Sequence, residues 1–126
     1  MFYSGEQFPA EYKGNVFAAL HGSWNRSKLT GYKIIRALVN NGVPSGEYED
    51  FVTGFVIDDT RVWGRPVGIA QAKDGSLLFS EEGNGTIWRV SYAAQEVPIG
   101  GQASPLGGPA GSADFLFRKV HTCWQQ

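Results

Sequence analysis

Residues 75–92 read "GSLLFSEEGNGTIWRVSY", and the way this stretch is parsed decides the fold. A short apolar run enters a polar turn that carries two glycines, and a second run leaves it. In the second run Ile87, Arg89 and Ser91 alternate with Trp88, Val90 and Tyr92, which is the two-residue period of a strand. Residues 14–38, "GNVFAALHGSWNRSKLTGYKIIRAL", follow the same plan: glycine, apolar strand, polar glycine-bearing turn, then "GYKIIRA" where the later copy has "GTIWRVS". Short antiparallel strands that recur with glycine-rich turns are the pattern of β-propeller blades.

Working outward, strands are expected at 15–21, 32–39, 48–55, 65–72, 76–81 and 86–92. The first is apolar on both faces and is therefore expected to be buried on both. Asn41-Gly42 marks a tight turn, and Pro66 stands at a strand start, where a missing N–H is tolerated. No segment before residue 92 shows a 3.6-residue apolar period. The fold class is thus all-β: about two antiparallel, four-stranded-type propeller blades over 1–92, followed by a flexible tail. Residues 93–126 begin with a Gly/Pro/Ala-rich stretch and are expected to be largely disordered; "FLFRKVHTCWQQ" at their end is expected to be loosely held, or helical over a turn or two.

Composition supports a turn-rich β protein: 126 residues, 17 of them glycine, with 13% aromatic and 18% charged residues. The net charge of −1 gives no global attraction to nucleic acid or acidic lipid. Arg26, Lys28, Lys33 and Arg36 form the nearest thing to a basic patch, and solvated charges on a turn and strand face account for it. A single cysteine, Cys123, excludes an internal disulfide and a cysteine-based zinc site. No run of about 18 apolar residues exists to span a membrane, and the first residues lack the basic and apolar regions of a secretory signal.

Chemistry-bearing residues concentrate in "LHGSWNRSKLTGYKII", residues 20–35. His21 at a strand end has the chemistry of a base or ligand near neutral pH; the commoner role of such a histidine is a hydrogen-bonded one at a core edge. Trp24 suits stacking on a sugar or planar cofactor, or capping a sheet edge. Arg26 and Arg65 stand at strand–turn junctions, where a guanidinium can take a carboxylate through two parallel bonds; the competing role is a surface ion pair worth about 0–1 kcal/mol. Asp58, Asp59, Asp74, Glu81 and Glu82 are candidate calcium oxygens, but none has the spacing of a helical calcium loop. "HGSWN" is not a nucleophile elbow, and "EEGNGTIW" opens a strand, so it is not a phosphate loop.

Three stretches, "FYSGEQFPAEYKGNVFAALHGSWNRSKLTGYKIIR", "EYEDFVTGF" and "WGRPVGIAQAKDGSLLFSEEGNGTIWRVSY", resemble the C-terminal blades of the glucose/sorbosone dehydrogenase family, and more narrowly its L-sorbosone dehydrogenase-like members. The resemblance covers residues 2–92. It implies part of a six-bladed propeller oxidoreductase that binds pyrroloquinoline quinone with calcium and oxidises sugars, in a periplasmic or secreted protein. The quinone carries three carboxylates. By this resemblance Arg26, with Lys28 second, and Arg65 would border the cofactor, joined by His21 and Trp24 from the same turn. Val67 stands where an arginine-x-arginine pair would have its second member. The blades that would carry the catalytic base and most calcium ligands are not in this chain, so the resemblance implies no catalytic residue here and a fragment inactive alone. Its expected partners are a sugar and the quinone, with self-association through exposed blade faces and no nucleic acid. The reading from another class is a non-catalytic carbohydrate-binding or interaction module, with Trp24, Trp63, Trp88 and Tyr32 as stacking platforms.

Overall fold

The computed structural model describes residues 1–93 and, as backbone, residues 115–120. Seven strands form two antiparallel sheets. The first sheet has the order β1-β2-β3, with β1 at Val16–Leu20, β2 at Lys33–Asn40 and β3 at Val43–Val52. The second has the order β4-β5-β6-β7, with β4 at Pro66–Gln71, β5 at Leu77–Glu81, β6 at Thr86–Tyr92 and β7 at Phe115–Val120. The helical structure of the described residues is one 3-10 turn, Ala10–Tyr12. The all-β expectation holds at this level. The first sheet has three strands rather than four, and in the place of a fourth Phe2 makes a single antiparallel bridge to Val16.

The repeat seen in the sequence is a repeat of hairpins. β1 pairs with β2 from Val16↔Ala37 to Leu20↔Lys33, and β5 pairs with β6 from Leu77↔Val90 to Glu81↔Thr86. The two differ in the connection, residues 21–32 in one and 82–85 in the other.

Three local expectations are corrected. The third strand begins at Val43, not at residue 48. Asn41 and Gly42 both adopt positive φ (50° and 80°), so a two-residue turn joins Asn40 directly to Val43. The first eight residues of β3 are exposed, so no hydrophobic alternation announces them, and Pro44 is tolerated because β3 is an edge strand. Second, β1 is not buried on both faces: Phe17 is fully enclosed, while Val16, Ala18, Ala19 and Leu20 are half-buried. Third, residues 115–120 are neither loose nor helical. They pair with β6 from Ile87↔Val120 to Tyr92↔Phe115, satisfying an edge that would otherwise present open N–H and C=O groups. The remaining residues of the expected tail lie outside the described residues.

One apolar cluster joins the sheets. Phe17, Ile34 and Val52 come from the first sheet, Leu77, Phe79 and Val90 from the second, and Phe55 from the connection between them. Burying each such side chain contributes roughly 1.5–3 kcal/mol. The N-terminal segment clasps both halves. Tyr3 lies in the cluster, stacked on Phe8 at 4.9 Å and edge-on to Phe17 at 5.9 Å. Its backbone N–H donates to Asn15 O, its hydroxyl donates to Gly75 O at 2.8 Å, and it accepts the Phe8 N–H at 3.1 Å. Gln71 Oε1 accepts the N–H groups of Ser4 and Gly5 at the same end.

Replacement of Tyr3 by Phe keeps the ring and strands two buried backbone groups. The expected loss is about 1–3 kcal/mol of stability, read as a lower urea midpoint with an unchanged m-value.

Candidate functional site

Chain direction brings three connections to one edge of the molecule. β1 runs toward this edge, β4 starts from it, and β5 returns to it. Residues 21–32, 53–65 and 82–85 therefore meet there, opposite the edge where Ser4 bonds Gln71.

The 21–32 loop has a fixed base and a free tip. Gly22 has φ 102°, and a Cβ at this position would run into the Tyr32 ring. Tyr32 is buried and its hydroxyl donates to Ser23 O. The Ser23 N–H donates to Thr30 O at 2.8 Å, and Ser23 Oγ accepts the Thr30 N–H at 3.1 Å. The tip beyond this clamp presents Trp24, 94% exposed, and exposed Arg26 and Lys28, which with Asn25, Ser27 and Thr30 line a shallow hollow. Among the described residues neither Arg26 nor Lys28 forms an ion pair. The other two members of the basic patch are used elsewhere: Lys33 bonds Asp50 at 2.7 Å, and Arg36 is buried, 3.9 Å over the Tyr12 ring and 3.4 Å from Glu49.

His21 and Arg65 converge on one carboxylate. His21 Nε2 lies 3.1 Å from Glu82 Oε1, and Arg65 NH1 lies 3.7 Å from the same oxygen. The other ring nitrogen, Nδ1, is 3.1 Å from Pro66 O. Glu82 is held in register by its N–H, which donates to Arg65 O at 3.1 Å. His21, Arg65 and Glu82 are 50%, 44% and 53% exposed, so the cluster is open to solvent. Histidine and arginine arrive from different sheets, and the cluster is a polar latch between them. Reasoning from sequence placed both residues at strand ends, but gave no sign that Glu82 is their shared partner. That partnership needs β1 and β4 to be neighbours.

Beneath the latch, Glu81 is a buried carboxylate, 2% exposed. It accepts the Thr86 hydroxyl and the Asn84 N–H, the latter at 3.1 Å. Gly64 and Gly83 close over it: a Cβ at either would lie 3.1 Å from Glu81 Oε2. Burial pushes its pKa up, but the bonds from Thr86 and Asn84 outweigh burial and hold it below the usual glutamate value.

Two of the other acidic candidates, Asp58 and Asp74, are engaged in turns. Asp58 bonds Arg61 and Thr60, which lower its pKa, and Asp74 bonds Ser76 and Arg89 with the same effect. Among the described residues no three His, Cys, Asp or Glu side chains gather as a metal site. These residues do not fit a calcium ion. The stacking platforms reduce to one. Trp63 stacks on Phe55 at 4.9 Å and meets Trp88 edge-on at 5.7 Å, and both tryptophans pack on the core, where with Val52, Thr53 and Phe79 they line an apolar cavity of about 150 Å³. Tyr32 is buried, so Trp24 alone stands free.

Fold and edge together define an all-β chain of two antiparallel sheets with a polar connection edge of mixed charge. The TrAA12-like family model matches residues 2–93, and the chain belongs to that family. A protein of Borreliella burgdorferi described only as uncharacterized is 42% identical over 92 residues, which is 72% of this chain and 24% of the relative. The chain thus spans about a quarter of the length of that curated relative. No solved structure matches. These findings correct the resemblance noted from the sequence. The family matched is TrAA12-like and not the glucose/sorbosone dehydrogenase family, and neither that family's description nor the relative's carries the oxidoreductase and sorbosone or glucose dehydrogenase labels taken from that resemblance. Among the described residues no helix is long and apolar enough to cross a membrane.

The depressed pKa of Glu81 sets a pH dependence. A carboxylate with a folded value below its unfolded value stabilises the fold above the unfolded value, and that contribution disappears as pH falls through the folded value. Stability is therefore expected to decline below the ordinary glutamate range. Glu81→Gln, expected to cost about 1–3 kcal/mol near neutral pH, should flatten this decline in urea titrations from pH 7 to pH 3.

Proposed function

We propose that this chain is part of a larger propeller protein that oxidises sugars through an anionic quinone cofactor, pyrroloquinoline quinone, and that it contributes cofactor contacts from its connection edge. The observation that carries the reading is the meeting of His21 and Arg65, from different sheets, on a single solvent-open carboxylate. Two cation-capable groups facing outward at one point suit a ligand with several carboxylates, because guanidinium and imidazolium donors bond carboxylates through charge-assisted contacts. Arg26 and Lys28, exposed on the neighbouring loop, extend the same charge, and Trp24 offers a flat apolar surface to a planar ring.

In this reading the rest of the protein covers the open sheet faces and supplies the catalytic base and any calcium ligands. The chain alone is then inactive, and it self-associates through exposed Phe2, Val43, Ile57 and Val67. The larger protein would be periplasmic or secreted, where sugar and quinone meet. The cofactor, if bound, would supply the two-electron acceptor, and this chain's residues would bind and orient its carboxylates.

A second reading rests on Trp24 alone. A tryptophan so fully exposed is a sugar-stacking surface for a non-catalytic carbohydrate-binding module. Tryptophan fluorescence discriminates. Saturable quenching by pyrroloquinoline quinone that Arg65→Ala weakens at least about tenfold, near 1.4 kcal/mol, is the expected result, with no dye reduction by the isolated chain when sugar, calcium and quinone are added. Quenching by sugars alone, abolished by Trp24→Ala and indifferent to Arg65→Ala, would favour the second reading.

A further inference from the structure

The latch contains more donors than its one carboxylate can satisfy. Pro66 O can only accept, and an ionised Glu82 can only accept, yet they face the two nitrogens of the same ring at 3.1 Å each. Each nitrogen of the ring thus faces an acceptor, so the site can take up a proton donor on either side. Arg65 adds a cation at 3.7 Å from the same Glu82 oxygen, a distance too long for a hydrogen bond. Glu82 is the only acidic group paired with either residue among the described residues, and it is half exposed on a four-residue turn. Its neighbour Glu81 points inward and is fully engaged with Thr86 and Asn84, so it cannot take Glu82's place.

We propose that Glu82 is an internal occupant of an anion seat formed by His21 and Arg65, and that a carboxylate-bearing ligand enters by displacing it. The inference rests on the anionic-cofactor reading above and deepens it by naming the group the ligand must compete with. Displacement is physically accessible. A half-exposed ion pair is weak and screened by solvent, so a ligand that brings two or three carboxylates can replace one glutamate arm. The arm has somewhere to go, because its backbone stays pinned through the N–H bond to Arg65 O while the side chain swings into solvent. Such an arrangement holds His21 and Arg65 in position before the ligand arrives.

The test compares the full chain with Glu82→Gln and Arg65→Ala. Two probes are titrated: pyrroloquinoline quinone, followed by tryptophan fluorescence, and citrate, followed by the side-chain carboxyl carbon signal of Glu82 and the ring nitrogen signals of His21. If Glu82 is the competitor, Glu82→Gln binds both probes about two- to fivefold more tightly, the range set by the strength of a surface ion pair. Arg65→Ala binds both more weakly, and citrate moves the Glu82 carboxyl signal of the unmutated chain. Unchanged or weaker binding by a folded Glu82→Gln protein, with the unmutated chain binding normally, would overturn displacement and leave the cofactor reading standing. Citrate binding that shifts Glu82, with no response to the quinone, would keep the seat and sink the quinone. If no probe binds to any variant, both fall. His21→Gln is a second route to the seat: it keeps a hydrogen-bond donor without charge, and the displacement model expects weaker binding of both probes with the Glu82 signal already shifted toward that of a free side chain.

Discussion

The hydroxyl of Tyr3 is the point on which the two sheets depend. Its ring fills the apolar cluster against Phe8 and Phe17, and its oxygen bridges the Phe8 N–H and the Gly75 carbonyl. One side chain thereby ties the N-terminal segment, the first sheet and the β4–β5 turn. A Cβ at Gly5 would lie 2.7 Å from the same oxygen, so the segment can pass this close only because Gly5 has none. Buried polar groups cost free energy unless they are bonded, and this arrangement leaves neither the hydroxyl nor the two backbone groups unpaired.

The opposite edge depends on that clasp. With β1 and β4 held as neighbours, His21 reaches Pro66 and Glu82, and Arg65 reaches the same carboxylate. Glu81 stiffens the platform from below. Its carboxylate organises the 82–85 turn through Asn84 and Thr86, and the bare glycines 64 and 83 let backbone close over it. The buried glutamate is therefore structural, and the exposed one beside it faces His21 and Arg65 at the solvent-open edge. Glu81 is the last residue of β5 and Glu82 the first of the turn that follows, so two consecutive glutamates end in different surroundings.

The first-sheet loop separates a rigid base from a responsive tip in a similar way. Gly22, Ser23, Thr30 and Tyr32 lock the base, and Trp24, Arg26 and Lys28 stand beyond it without partners among the described residues. A tip of this kind has chemistry to offer and little to lose by moving. The apolar cavity between the sheets differs: its two tryptophans are half-buried and pack against the core through their indoles.

Period-two alternation and glycine-bearing turns made the all-β class and six of the seven strands readable in the sequence, because a strand's side-chain period is a local property. His21, Arg65 and the tip residues Trp24, Arg26 and Lys28 could also be picked out, since residue type and position at a strand end are written in the chain. The start of β3 was hidden because its exposed residues carry no apolar alternation, and β7 was hidden because its pairing is with a strand already formed elsewhere. The distinction between Glu81 and Glu82, the burial of Arg36 on Tyr12 and the packing of Trp63 and Trp88 against the core were decided only by tertiary structure. Each depends on which segments, distant in sequence, become neighbours, and that is set by the packing of the two sheets on Tyr3 and its cluster, not by any local pattern.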